Sequence, residues 1–355
     1  MLSKWQWLLS QLTRTLSLRV FLFALLAVAT ALIALPLQNL TDEPLPLSVA
    51  SGSVDSILKI LATSMLTVTT FSLSVMVSAY AAASSSATPR ATRLVQEDPT
   101  THNVLGTFIG SFLFSLVGII SLSMGIFNEN GRLILFLVTI GMVILIVATL
   151  LRWIEHLSSL GRISETTDRV EEATTKAIKL RVKYPHLGGK RLDLKALPEY
   201  VDDESCLFSP KTGYIQHVDM AALNDLGKKH EIEIAVLKSP GSFVHPAEAI
   251  AAYSGDKNEE LEDCILATFT IDSRRSFDQD PRFGLEVMTE IASRALSPAV
   301  NDPGTAIDVL SRSVRLLYIW KDHKFLEDDS DQIEFPFVRV LAIETEDLFE
   351  DIYMP

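Results

Sequence analysis

Apolar residues along this chain are concentrated in four long runs before residue 152, and charged residues are frequent after it. The runs cover residues 20–37, 57–83, 104–126 and 133–151. A helix needs about 20 apolar residues to cross the hydrocarbon core of a bilayer. The first run is longer than the apolar core of a signal peptide. The pattern therefore predicts an α-helical membrane domain with four transmembrane helices over residues 1–151.

The basic residues at the ends of these runs predict the orientation. Lys4, Arg14 and Arg19 precede the first run, whereas the loop over residues 38–56 has neither Lys nor Arg. Arginines occur again between the second and third runs and after the fourth run. The turn between the third and fourth runs carries only Arg132. Because cytoplasmic loops are rich in Lys and Arg, both termini are expected in the cytoplasm.

The second run carries hydroxyl residues at spacings of four, three, four and four. They are Thr63, Thr67, Thr70, Ser74 and Ser78. This spacing places all five on one face of a helix. Two interpretations are open. Such hydroxyls bond to the carbonyl four residues earlier and pack between helices; alternatively, they line a hydrated path and replace part of an ion's hydration shell.

The charge and size of the other intramembrane residues narrow these possibilities. No Asp, Glu, His or Arg lies inside a run, which argues against a proton-coupled transporter or a voltage sensor. The third run contains Gly106 and Gly110, followed by Ser111 and Ser115. Small residues four apart let two helices approach closely, so these residues predict packing within the membrane or self-association.

After the membrane domain, the pattern predicts an α+β cytoplasmic part in three segments. Residues 152–184 are expected to extend the fourth helix into the cytoplasm without a break, because Gly161 is the only helix-breaking residue there before the end of the segment. Residues 185–275 form a small β-rich module, similar over residues 213–244 to half of a barrel-sandwich of the lipoyl type, although no modified lysine matches. Residues 276–355 are predicted to be mainly helical.

Composition and motifs exclude several classes of function. The net charge of −13 disfavours binding to nucleic acid. Cys206 and Cys264 are too few and too isolated for a disulfide framework or a zinc site. The chain contains none of the common hydrolase, metalloprotease, nucleotide-binding or dinucleotide-binding motifs, and its seven histidines are scattered. No enzymatic activity, cofactor or metal is therefore expected.

One further motif lies where two C-terminal helices are predicted to meet. Asp302 is suited to cap a helix that begins at Pro303, since proline fits the first helical position. The alternative is an anion site at this helix start, formed by Asp302, Gly304 and Thr305 with Arg294 nearby. The capping interpretation is preferred because the carboxylate of Asp302 already occupies the anion position.

Three segments together resemble one known family. They are residues 103–108, residues 213–215 with Pro240-Gly241-x-Phe243-Val244, and residues 295–303, which read Ala-Leu-Ser-Pro-Ala-Val-Asn-Asp-Pro. In this order they resemble the bacterial membrane family called domain of unknown function 2254. The resemblance implies a multi-pass protein of the bacterial inner membrane and implies no catalytic residue. Members often continue further at the C-terminus, which leaves open whether this chain is truncated at Pro355.

Two hypotheses of function follow. The first is a homo-oligomeric ion channel or transport protein, in which the hydroxyl-bearing second helices surround a path through the bilayer. Its acidic cytoplasmic part would regulate it and concentrate cations. The alternative is a membrane-anchored regulatory or scaffold protein that transports nothing and binds a cytoplasmic partner or ligand. Water at the hydroxyl face would distinguish a pore from a scaffold, in which that face is buried.

Overall fold

The computed structural model describes residues 51–125, 127, 129–193, 197–198, 201, 205–321 and 333–353, together with Phe21, Leu25, Val28 and Ala29. Those four positions are helical, and the rest of the first predicted span and the basic residues before it lie outside the described residues. The described chain divides into two compact units. Residues 51–86 and 92–165 belong to the helical unit, and residues 87–91 and 166–353 belong to the mixed unit.

The long helices of the helical unit contain the second and fourth predicted spans and the third as far as Ser123. The helices from residue 51 onward are α1 Ser51–Ser86, α2 Pro89–Gln96, α3 Pro99–Ser123 and α4 Glu129–Leu157. Within the described residues, three of them (α1, α3 and α4) are long and apolar enough to cross a membrane. Each begins before the predicted run, because polar residues outside the apolar stretch continue the helix.

Helix α3 forms the centre of the helical unit. In its apolar stretch 61% of the residues are buried, compared with 22% in both α1 and α4. Gly118 of α3 lies so close to α1 that a Cβ atom there would be 2.9 Å from a methyl carbon of Leu58. Further along, Phe108 of α3 packs in a cluster with Met65 of α1 and Trp153 of α4. Two long helices are thus arranged against a buried third.

The predicted continuous helix over residues 152–184 is wrong. Helix α4 ends at Leu157, and α5 (Ile163–Lys183) begins after a turn. Gly161 in this turn has φ of +82°, a left-handed conformation that glycine adopts without steric cost. Its Cα also lies against α1, since a Cβ there would be 3.1 Å from the Ala79 backbone. A helix could not continue through such a residue.

The mixed unit combines two sheets with helices. After α5 and a 3₁₀ turn at Pro185–Gly188 come β1 Gly189–Leu192, β2 Cys206–Phe208, β3 Gly213–Val218, α6 Met220–His230, β4 Ile234–Val236, β5 Phe243–Val244, β6 Ala249–Tyr253, α7 Glu259–Leu266, β7 Phe269–Asp272, α8 Pro281–Ala295, α9 Pro303–Lys321, β8 Phe335–Leu341 and α10 Thr345–Tyr353. The larger sheet has the order β1-β8-β4-β6-β2, and the smaller has β5-β3-β7. Buried residues of both sheets and of α6 and α7 share one core.

The sheet order does not confirm the barrel-sandwich likeness. Strands β3 and β5 pair in the smaller sheet, but β4 belongs to the larger one, where it pairs in parallel with β8. Strand β8 also pairs in parallel with β1. Its residues come from the segment predicted to be mainly helical, which therefore contains a central strand. Val338 and Val340 of β8 are fully buried, so this strand completes the core.

Three helices of the mixed unit form a second packed layer. Helix α8 contacts α9 and α10. It also approaches α5 closely at Gly284, where a Cβ atom would collide with the side chain of Thr174. Asp280 caps α8 by accepting a 3.1 Å hydrogen bond from the Phe283 backbone N–H. The two C-terminal helices predicted to meet near Asp302 are present as α8 and α9, and α9 begins at Pro303 as predicted.

Candidate functional site

The five predicted hydroxyl residues of α1 lie on one exposed face. Thr63, Thr67, Thr70, Ser74 and Ser78 are all exposed within the single chain. Each hydroxyl donates a hydrogen bond of 2.8 to 3.0 Å to the carbonyl oxygen four residues earlier. The opposite face of α1, which includes Leu58, Ala62 and Met65, is buried. Packing among the described residues therefore leaves the hydroxyl face uncovered.

The hydroxyl face extends beyond the five residues that the sequence predicts for it. Ser56 and Ser85 share its helical angle, and both are exposed with their hydroxyls bonded to backbone carbonyls. With a rise of about 1.5 Å per residue, the face spans roughly 44 Å, more than the hydrocarbon core of a bilayer. Exposed Leu73 and Phe71 border it on its two sides. A polar strip thus follows nearly the whole helix between two apolar borders.

The predicted small-residue motif of α3 lies inside the helical unit. Gly106, Gly110, Ser111 and Ser115 are all buried. The hydroxyl of Ser111 donates to the Thr107 carbonyl at 2.7 Å and also lies 3.3 Å from the sulfur of Met142 in α4. At least part of this motif therefore serves packing between helices of one chain.

A buried carboxylate–imidazole pair joins the ends of α3 and α4. The Oδ2 atom of Asp98 lies 2.7 Å from Nε2 of His156, with only 3% and 12% of the two side chains exposed. The same carboxylate caps α3 by accepting bonds from the backbone N–H and the hydroxyl of Thr101, at 2.8 and 2.6 Å. The sequence pattern does not reveal this pair, because its members are 58 positions apart along the chain and only helix packing brings them together.

Asp302 lies at the start of α9, as the capping interpretation requires. Its carboxylate accepts hydrogen bonds from the Thr305 backbone N–H at 3.1 Å and from the Thr305 hydroxyl at 2.6 Å. These hydrogen bonds lower the pKa of Asp302. The neighbouring Gly304 is exposed, and Arg294 lies on the last turn of α8. A carboxylate thus fills the position that an anion would take.

The mixed unit contains a cleft of about 840 Å³. One wall is the turn from Ser239 to Ser242, where Gly241 has φ of +96° and approaches the carboxylate of Asp280. The charged wall is built around Arg275, which bonds to Asp280 at 2.8 Å and to Glu286 at 2.6 Å. The apolar wall includes Phe208, which is 47% exposed. The cleft therefore places side chains of both charges near the exposed ring of Phe208.

Over the part of the chain that the structure describes, no group of three or more His, Cys, Asp or Glu side chains is arranged to hold a metal ion. Within the same residues Cys206 and Cys264 form no disulfide.

Two apolar helices, α1 and α4, packed on the buried apolar helix α3 and followed by a mixed α/β unit, define a membrane protein with a folded polar part. The chain belongs to the family described as Predicted membrane protein (DUF2254), which matches residues 13–355. This confirms the resemblance found in the sequence.

Mycobacterial relatives extend the comparison. The chain is 26% identical over 268 residues to the uncharacterized protein Rv1290c of Mycobacterium tuberculosis and to the uncharacterized protein Mb1321c of Mycobacterium bovis. Each match covers 73% of this chain and 51% of the relative, so the chain spans about half the length of these relatives. No solved structure matches it significantly.

Proposed function

We propose that this protein is a homo-oligomeric, channel-like protein of the bacterial inner membrane, with four transmembrane helices and both termini in the cytoplasm. The exposed hydroxyl face of α1 is the observation that carries the proposal. In a bilayer this face meets lipid, another copy of the chain, water, or a segment of the chain outside the described residues, such as the first predicted span. Several copies around an axis would place their hydroxyl faces together and leave the apolar borders to contact lipid or neighbouring subunits.

The hydrogen bonds along α1 favour cations over anions. Each hydroxyl proton is directed back to a carbonyl of its own helix. The oxygen atoms keep lone pairs on their outer side, and lone pairs are acceptors. Acceptor oxygens can replace water around a cation, whereas an anion needs donors. The acidic net charge of the chain, −13, would raise the local concentration of cations further.

Cysteine accessibility along α1 tests this proposal. Single cysteines replace Thr67, Thr70 and Ser74 in a chain whose two natural cysteines are serine, and Leu73→Cys and Phe71→Cys serve as matched border controls at the same depth. A membrane-impermeant thiol reagent should label the hydroxyl positions and leave the borders unlabelled in proteoliposomes, and labelled chains should lose ion flux. Equal lack of reaction at all five positions would exclude a hydrated path.

The cleft favours a second role, in which the mixed unit binds a small ligand. Its described charged lining has four carboxylates (Glu248, Asp280, Glu286 and Asp347) and three cations (Lys238, Arg275 and Arg282). This excess of negative charge favours a cationic amino acid. Free arginine should raise the thermal midpoint of the purified chain more than glutamate at equal ionic strength, and Phe208→Ala should reduce the effect. Identical shifts with both amino acids would contradict this role.

A further inference from the structure

Helix α9 of the mixed unit carries an apolar stripe that the described residues of the chain leave exposed. Its members are Ile307, Leu310, Val314 and Tyr318. Each is between 45% and 65% exposed, although the opposite side of α9 is buried and includes Val309, Leu316 and Trp320. The spacing of three, four and four residues is the one that lets two helices pack along a seam. Contiguous apolar surface of this kind marks an interaction site.

We infer that this stripe is an interface with the α9 helix of a second copy of the chain, in antiparallel orientation. The stripe is nearly symmetric about a point between Arg312 and Ser313, so reversing one helix places Ile307 opposite Tyr318 of the other copy. Leu310 and Val314 then meet near the centre. A two-fold interface uses the same patch on both chains, and this patch complements itself.

The charges beside the stripe favour the antiparallel arrangement. Asp308 and Arg315 lie on the same side of the stripe, in its N-terminal and C-terminal halves, and both side chains are about half exposed. Within the chain Asp308 pairs with Arg312 and Arg315 pairs with Glu171. In an antiparallel pair, the exposed part of each Asp308 would also face Arg315 of the other helix. In a parallel two-fold pair the flank that carries Asp308 and Arg315 would face the opposite flank of the partner helix, so these two residues would not meet. The helix dipoles also oppose each other only in the antiparallel pair.

The same charges disfavour the membrane surface as the occupant. A helix that lies on a bilayer typically carries several Lys and Arg residues on its polar face, because headgroups are often anionic. Around this stripe Asp302 and Asp308 balance Arg315 and Lys321, and the whole chain is acidic. A second copy supplies complementary charge and apolar surface together. The inference does not depend on the hydroxyl face of α1 or on a pore.

Disulfide formation in the full chain tests the interface. In a chain whose two natural cysteines are serine, Ile307→Cys and Tyr318→Cys are introduced singly and together. Positions 307 and 318 of one helix are roughly 16 Å apart, beyond the reach of a disulfide. The double variant should therefore form covalent dimers in detergent and in lipid nanodiscs, and neither single variant should. Glu172→Cys with Lys183→Cys, an exposed pair with the same spacing on α5, should stay monomeric on non-reducing gels.

A charge in the stripe provides an independent measurement. Val314→Asp should abolish the crosslink of the double variant without lowering the thermal midpoint, because Val314 is 58% exposed. Crosslinking of single variants as readily as of the double variant would contradict the antiparallel pair. If no crosslinks form, the thiol of the Tyr318→Cys variant can be tested for protection from a thiol reagent. Protection in lipid but not in detergent would contradict the interface and assign the stripe to the membrane surface. If the cysteines on α1 are labelled to the same extent with and without Val314→Asp, the α9 interface and the proposed pore are independent of each other.

Discussion

At the residue scale, the most consequential side chain outside the predicted set is Asp98. It caps α3 and pairs with His156 of α4 in a nearly buried site. A cap alone stabilises a helix by about 0.5–2 kcal/mol. Here the same carboxylate also satisfies a buried imidazole, and a buried polar group that loses its partner is costly. One residue thus holds the ends of two apolar helices together.

We therefore expect Asp98→Ala to lower the thermal midpoint of the purified chain more than an ordinary cap mutation. Asn258→Ala is the matched control, since Asn258 caps α7 through a 3.2 Å bond to the Leu261 N–H and is not paired with a buried imidazole. Removal of the cap should lower the free energy of unfolding by on the order of 1 kcal/mol in both variants. Asp98→Ala should lower it further, because the contact with His156 is lost as well. Equal shifts in a detergent melt would show that the His156 contact contributes nothing.

A second residue-scale prediction concerns Glu171, which bonds to Arg312 at 2.7 Å and to Arg315 at 2.8 Å. Its partial burial acts to raise its pKa, but the hydrogen bonds from Arg315 and Arg312 outweigh this and hold the pKa below the ordinary value of 4.5. A depressed carboxyl pKa stabilises the folded state above the unfolded pKa. That stabilisation is lost as the pH falls through the folded pKa.

Glu171→Gln should accordingly reduce stability at neutral pH and flatten its decline below about pH 4.5. Glu172→Gln is the neighbouring control, because Glu172 bonds to Lys176 on an exposed surface. Urea unfolding of the detergent-solubilised chain at a series of pH values measures both slopes. An acid decline in Glu171→Gln as steep as in the unmodified chain would show that this carboxylate does not contribute to it.

At the scale of elements, close contacts between helices decide the packing of the mixed unit. Helix α5 crosses α8 where Gly284 meets Thr174, and no other residue type fits without displacement. The polar face of α5 adds Glu171, which reaches Arg312 of α9. Helices α5, α8 and α9 are therefore linked by one steric contact and one group of ion pairs.

Gly284→Ala should destabilise the mixed unit by about 1–3 kcal/mol, the usual cost of inserting a methyl group into a packed contact. Gly304→Ala offers the same substitution at an exposed helical position, where the nearest atom to the new Cβ is 3.3 Å away. It should be neutral or slightly stabilising, because alanine favours helix. A comparable loss in both variants, measured by chemical unfolding, would argue against the close contact between α5 and α8.

At the scale of the molecule, the mixed unit depends on a strand from near the end of the described chain. Strand β8 lies between β1 and β4, and both of its pairings are parallel. Without β8 the larger sheet would lose its continuity, and the buried core around Val338 would open to water. The C-terminal part is thus an integral component of the mixed unit.

A chain that stops after Lys321 should therefore lose the protease-resistant core of the mixed unit, whereas a chain that stops after Tyr353 should keep it. Limited proteolysis of the detergent-solubilised proteins, followed by mass spectrometry of the fragments, measures this difference. The inserted stop removes β8 and α10 together, so Val338→Asp in the full chain separates the strand from the helix. A resistant fragment covering residues 166–321 in the shorter chain would contradict this dependence.

The sequence by itself determined what local patterns encode. The spacing of Thr63, Thr67 and Thr70 placed them on one helix face, because helical periodicity is a property of the backbone. The apolar runs predicted α1, α3 and α4, and the capping residue Asp302 marked the start of α9 correctly. The family was evident in three short segments, and the match over residues 13–355 confirmed it.

Tertiary structure alone decided which distant residues meet. The pairing of Asp98 with His156, the position of β8 between β1 and β4, and the turn at Gly161 all depend on contacts between separated segments. A short apolar segment such as residues 335–341 is compatible with helix or strand, and only its neighbours select one. Exposure of the stripes on α1 and α9 also became visible only in the fold, because a periodic pattern defines a face but not what covers it.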